Sequence, residues 1–241
     1  MRVPAFVATT RGPDATVGVP PSPAPPVGRA AAAWGLASGA VDDFFDVVHR
    51  QRACRSFGAD PVDDADVERV LDAATFAPSA ENRQPWVFVV VRDERRRAEI
   101  GALTRRAWEE GGRAHSEGRL APGLLAEVDA GARGGVSSAP VLVVVGGDTR
   151  LGDARVLEAS IFPCVQNLLL AATALGLGSS LTTLPLVFGR ELAAAVGLPD
   201  EVRAMAVVPL GWPARPLSPP RRQPLADKAH REVYGAGWPP A

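Results

Sequence analysis

Residues 77–91, APSAENRQPWVFVVV, are the stretch from which the rest of the chain can be placed. The first half is a loop of small and polar residues carrying Pro78, Ser79, Asn82 and Gln84. The second half, WVFVVV, is a short β-branched and aromatic run entered through Pro85, and it reads as a buried strand. Amide side chains both donate and accept hydrogen bonds. Asn82 and Gln84 therefore suit a uracil-like edge, where C=O and N–H groups alternate. An ordinary polar turn is the competing reading. The density of amides just ahead of a strand makes the binding reading at least as strong.

Upstream, PVDDADVERVLDAATFA (61–77) has Val67, Val70, Leu71 and Ala74 at helical spacing, with Asp63 or Asp64 as cap. Phe44, Phe45, Val47 and Val48 give an earlier helix its apolar face, and Asp42 and Asp43 suit its positive N-terminal end. Downstream, DERRRAEIGALTRRAWEEG (93–111) reads as an amphipathic helix. APVLVVVGG (139–147) and MAVVPLGWP (205–213) read as further strands. The segment from about Val156 to Leu175 is a core helix ended by Gly176 and Gly178, with Pro163 kinking it or marking its first turn. SSLTTLP (179–185) is a short strand or extended loop, and ELAAAVGLP (191–199) is a brief helix closed by Gly197. Residues 111–138, rich in Gly, Ala and charge, read as a variable lid or loop region containing some helix. The organisation is a Pro/Ala-rich arm over 1–40, disordered or loosely docked, and one domain over 41–241. Its proline-rich tail, about 213–241, needs a surface to lie on, and a partner subunit is a good candidate. Helices alternating with three or four strands imply a layered α and β domain.

Composition removes several functions. A net charge of −1 gives no basic field for nucleic acid or anionic lipid. Apolar runs stay below about 18 residues, so no membrane span is expected, and the N-terminus lacks a signal-peptide pattern. A cytoplasmic location is the default expectation. Cys54 and Cys164 have no metal-ligand spacing, and the three histidines, His49, His115 and His230, have no near partners. There is no GxSxG, HExxH, P-loop or paired-carboxylate signature. A site without an evident acid, base or nucleophile fits an enzyme whose cofactor carries the chemistry.

Three further features bear on binding. HRQRACRSF (49–57) puts Arg50, Arg52 and Arg55 where a helix runs into a loop, and arginines there can grip a phosphate. A solvated helix terminus is the plainer alternative. LGLGSSLTTLP (175–185) has glycines that let backbone approach a ligand closely. Arg221 and Arg222 in the tail matter only if the tail returns to the site.

Taken in order, RQRACRSF, PVDDADVERVLDAATFAPSAENRQPWVFVVV, VQNLLLAATALGLGSS, VVPLGWP and RRQPLADKAHREVYGAGW resemble the FMN-dependent nitroreductase family over about residues 44–238. The resemblance implies an α+β fold: a three-layer mixed sheet flanked by helices, in an intertwined homodimer with FMN at the interface. It implies hydride transfer from NADPH or NADH through FMN to an electron-poor small-molecule acceptor, of nitroaromatic, quinone or enone type, by a ping-pong cycle. Biosynthetic dehydrogenation, other flavin chemistry and a non-catalytic flavin-binding homologue are the alternatives, and residues 104–138 would select among acceptors. By the same resemblance Gln51, Arg52 and Ala53 fall on the phosphate and ribityl contacts, with Gln51 and Ala53 standing where the family has Arg and Ser. Arg55 falls beside the N1/C2 carbonyl as an electrostatic tuner. Pro78, Ser79, Asn82 and Gln84 fall at the pyrimidine edge. Leu181, Thr182 and Thr183 fall on the segment that covers one ring face and presents a backbone N–H to N5. Arg221 and Arg222 fall on the phosphate-binding tail.

Overall fold

The computed structural model describes residues 44–238. The expected arm over 1–40, and Asp42 and Asp43, lie outside the described residues. Four strands form the centre: β1 (Trp86–Val91), β2 (Val141–Asp148), β3 (Gly178–Ser179) and β4 (Val202–Gly211), in the order β1-β2-β4-β3. Strand β2 is buried at every position, because helices cover both faces of the sheet. Val141, Val143 and Val145 face one layer with Ala206, Val208 and Leu210, while Leu142 and Val144 face the other with Val207. The first layer holds α2 (Asp64–Thr75) and α7 (Ala154–Ala174). The second holds α3 (Glu94–Ala107), α8 (Gly189–Val196) and the turn Leu184–Phe188. The fold is therefore the expected three-layer α+β arrangement.

Several details differ from the expectation. All three strand ladders are antiparallel, so the sheet is mixed only through one isolated parallel bridge, Ala53 to Ser179. Each long connection returns the chain so that it runs opposite its neighbour. Helix α1 (Phe44–Arg50) buries only Val47; Phe44, Phe45 and Val48 are exposed. Asp63 is the N-cap of α2 by position but makes no side-chain cap bond, and Asp64 instead pairs with Arg92 at 2.7 Å. Helix α7 starts earlier than its apolar run, at Ala154 behind Asp153, whose carboxylate accepts from the N–H groups of Arg155 and Val156. Pro163 consequently falls in the middle of the helix and not in its first turn.

Helix α7 is long and apolar enough to cross a membrane by length and composition, which the run-length reading of the sequence did not register. Its Leu157, Ile161, Cys164, Val165, Leu168 and Ala172 instead pack into the core. The helix ends at Gly176, whose φ of 78° is open to glycine at little cost. The N–H of Leu177 reaches the Ala172 carbonyl at 2.9 Å and that of Gly176 the Thr173 carbonyl at 3.0 Å, closing the last turn. Gly178 is not part of this stop; it begins β3.

Both cysteines are free and buried. Burial pushes the Cys164 thiol from 9.0 up to about 12. Below pH 9.0 the thiol is protonated in the folded and the unfolded chain alike. Between pH 9.0 and about 12 only the unfolded chain ionises, so stability falls over that window. Cys164→Ala lacks this loss, and about 1 kcal/mol or more of core packing is its pH-independent cost. Thermal unfolding should therefore show the gap between wild type and variant narrowing as pH rises through that window; a constant gap would remove Cys164 from the alkaline transition.

Candidate functional site

The first arginine motif is held by main-chain bonds on two sides. The Cys54 N–H donates to the Ser179 carbonyl at 2.8 Å, and Ala53 bridges the same residue. The Gly58 N–H donates to the Trp212 carbonyl at 2.8 Å, and the Ala214 N–H to the Ser56 carbonyl at 3.0 Å. The Trp212 indole N–H closes the arrangement on the Pro61 carbonyl at 3.0 Å. Residues 52–58 thus lie extended between β3 and the chain leaving β4.

Two cavities open along this segment. One, of about 220 Å³, is lined by Arg52, Ala53, Cys54, Arg55, Ser56, Glu127, Ala130 and residues 215–218. The other, of about 190 Å³, is mostly apolar, with Phe57, Val128, Val136, Leu181, Leu184 and Pro209 among its walls. Thr104, Ser180, Thr182 and Thr183 add polar atoms there. Arg55 lines both cavities, so they meet at its side chain. Burial pulls the Arg55 guanidinium below its ordinary value; Glu127 opposes that and Arg52 adds to it. Burial likewise raises the Cys54 thiol, against the pull of Arg55 and Arg52, so this cavity wall holds no ready thiolate.

The arginine cavity is also where Arg215 arrives. Arg52 donates to Ser218 through its carbonyl and hydroxyl, at 3.1 and 3.2 Å, and to Glu127 at 3.3 Å. Arg215 donates to the other Glu127 oxygen at 3.3 Å, and Arg55 lies 4.0 Å from the first. Arg215 and Glu127 carry no mark in the sequence. Arg215 follows the GWP strand end by two residues, and only the docking of Ala214 onto Ser56 turns it toward Arg52.

The structure brings together Arg52, Ala53, Arg55, Leu181, Thr182 and Thr183 on the two joined cavities. Gln51 lies one residue outside, its N–H on the Val47 carbonyl at 2.9 Å. Thr182 exchanges both main-chain bonds with Val207 at 2.9 Å, so its N–H is taken. Pro78, Ser79, Asn82 and Gln84 line neither cavity, and Arg221 and Arg222 are exposed in the tail. The 78–84 loop is nevertheless built under strain: Glu81, Asn82 and Gln84 have φ of 53°, 54° and 52°. Such conformations cost about 1–3 kcal/mol each and cluster at ligand sites. Ser79 Oγ accepts the Gln84 N–H at 3.0 Å, and Gln84 Nε2 donates to Asn82 Oδ1 at 3.3 Å.

An arginine-rich cleft thus opens into a second cavity with apolar walls, on a helix-covered antiparallel sheet. The chain belongs to the nitroreductase family of oxidoreductases, whose model matches residues 48–212. It is 32% identical over 192 residues to an NADH dehydrogenase of Thermus thermophilus, covering 73% of this chain and 89% of that one. It is 30% identical over 172 residues to an iodotyrosine deiodinase of Thermotoga neapolitana, covering 71% and 89%. A crystal structure described as a Desulfovibrio desulfuricans nitroreductase in complex with FMN superposes with a TM-score of 0.64 at 26% identity, covering 80% and 98%.

The lid closes over Arg55 through a glycine. A Cβ on Gly135 would run into the Arg55 carbonyl oxygen, an approach only glycine permits. Gly135→Ala should lift the segment Gly131–Gly135 off Arg55 while the sheet core stays folded. Limited trypsinolysis should then cut at Arg113, Arg119 or Arg133 about tenfold faster, the response of a locally opened element. Unchanged cleavage would mean that the lid is not seated on this contact.

Proposed function

We propose that the chain binds FMN between the two cavities and works as an NAD(P)H-dependent oxidoreductase. The observation that carries this is the meeting of an arginine cluster and an apolar slot at Arg55. The donor set fits the cofactor: three guanidiniums for a phosphate at one end, and aliphatic and aromatic walls for a planar ring at the other. Bound there, FMN supplies two-electron exchange between NADPH or NADH and an electron-poor acceptor of nitroaromatic, quinone or enone type.

The chain's own residues position and tune. Arg52 and Arg215 hold the phosphate arm. Arg55, half-buried and held between Cys54 and Ser56, whose main chains are bonded to Ser179 and Ala214, sets positive charge against the ring edge, where an increase in negative charge is stabilised without reorganisation. Leu181 or Thr183 offers the backbone N–H that Thr182 cannot. Residues 108–138 exclude water over the slot. With one slot under one lid, donor and acceptor use the same face in turn, which is a ping-pong cycle.

We further propose a homodimer in which loop 78–84 and the Arg221–Arg222 tail complete the partner subunit's site. Two features support it. The loop's amides and these arginines line neither of the two joined cavities of their own chain. Large apolar side chains are exposed on α1 (Phe44, Phe45), after α2 (Phe76), on α7 (Phe162) and in the tail (Tyr234, Trp238).

FMN-loaded protein should be yellow and should bleach anaerobically with NADPH or NADH in stopped flow. Arg55→Ala should slow bleaching by about 100-fold, the scale for losing one preorganised charge, with a smaller loss of FMN retention. Equal bleaching rates would remove Arg55 from that role. A colourless protein that takes up no FMN would leave the chain as a homologue without the cofactor.

A further inference from the structure

Glu127 occupies the point where the three arginines converge, and nothing in the flavin reading requires a carboxylate there. One of its oxygens takes Arg52 at 3.3 Å and lies 4.0 Å from Arg55; the other takes Arg215 at 3.3 Å. The donors that would hold a phosphate are therefore already engaged by an anion of this same chain. A carboxylate and a phosphate a few ångströms apart repel, so the two compete for these guanidiniums.

Glu127 comes from α5 (Pro122–Ala130), a helix with no buried residue. Two residues on, Asp129 faces a different set of partners: the Trp108 indole N–H at 2.9 Å, Arg113 at 2.8 Å and Arg133 at 3.0 Å. The helix is thus fastened by two carboxylates, one in the cavity and one in the lid.

We propose that Glu127 is the resident anion of the arginine cavity, and that a phosphorylated ligand enters by displacing it and so releases α5, which stays tethered through Asp129. The lid and the anion site are then coupled by exchange of one anion for another. The identity of the ligand as FMN rests on the preceding reading; the exchange itself does not.

The test compares the full chain with Glu127→Gln, which keeps size and removes charge. Binding of FMN and of riboflavin, which lacks the phosphate, is followed by flavin fluorescence. Amide exchange over residues 122–130 is followed by mass spectrometry in flavin-free protein, with and without inorganic phosphate at matched ionic strength. FMN should bind the variant about five- to tenfold more tightly, in the range for one partly exposed ion-pair network. Riboflavin affinity should not change. Inorganic phosphate should speed exchange over 122–130 in wild type, whereas the variant should exchange fast without it. Weaker or unchanged FMN binding by the variant would overturn the proposal, since Glu127 would then orient the arginines or stand idle. Equal tightening for riboflavin would overturn it as well. If neither protein bound any flavin, the FMN reading would fail and the inorganic phosphate arm would decide alone: faster exchange supports the displacement, and unchanged exchange overturns it.

Discussion

The extended docking of residues 52–58 between two distant parts of the chain is the constraint on which the site depends. Three main-chain hydrogen bonds, to Ser179, Trp212 and Ala214, fix that segment. The Cys54 side chain, 1% exposed, anchors it from inside. Arginine side chains lose much rotamer freedom when held, so a cluster of them forms only where backbone delivers them together. Arg215 reaches Arg52 because its neighbour Ala214 is bonded to Ser56. Convergence of the arginines is thus a consequence of strand docking, with the ion pairs forming afterward.

Above this rigid floor the lid is held by a different kind of force. Helix α7 buries eight residues in the core, while α5 buries none. Glu127 on the arginines and Asp129 on Trp108, Arg113 and Arg133 fasten α5, beside the half-buried Leu125 and Val128. The Trp108 hydrogen bond, then Arg133 and Arg113, keep the Asp129 carboxyl below its ordinary range. Exposed pairs of this kind contribute about 0.2–1 kcal/mol each and weaken with salt. The lid therefore belongs to the low-stability part of the molecule, where opening is cheap and the core is undisturbed.

The sequence was informative where one periodicity sufficed. Strands β1, β2 and β4, and helices α2 and α7, follow from apolar runs and helical spacing, because each buries a face that its own residues define. The clustering of Arg52 and Arg55 alone read as a solvated helix end; only the family resemblance pointed them at one site, and the structure places both on one cavity. Glu127 and Arg215 were not, since their roles come from contacts 75 and 88 residues away. Gly178 looked like a helix stop and is a strand residue pressed on Cys54, where a Cβ would stand 2.6 Å from the sulfur. There a tertiary neighbour overrode a local pattern. Within the 181–183 segment it is the Thr182 N–H that is paired with Val207, a bond that no local pattern announces.

Loop 78–84 shows the same limit from the other side. Its composition gave a binding loop, but not the left-handed backbone at Glu81 and Gln84, residue types that seldom adopt it. Local bonds offset part of that strain: Ser79 accepts from Gln84, and Ser160 Oγ accepts the Ala80 N–H at 3.3 Å. They do so while leaving Asn82 and Gln84 exposed, and Phe76, earlier in the same stretch of chain, is 79% exposed. A lone chain would gain nothing from strained backbone, outward amides and an uncovered aromatic ring in one short stretch. A second copy of the chain would bury the ring and give the amides something to bind, so the loop's geometry and the proposed homodimer account for each other. On that reading the strain is carried by one protomer and used in the site of its partner.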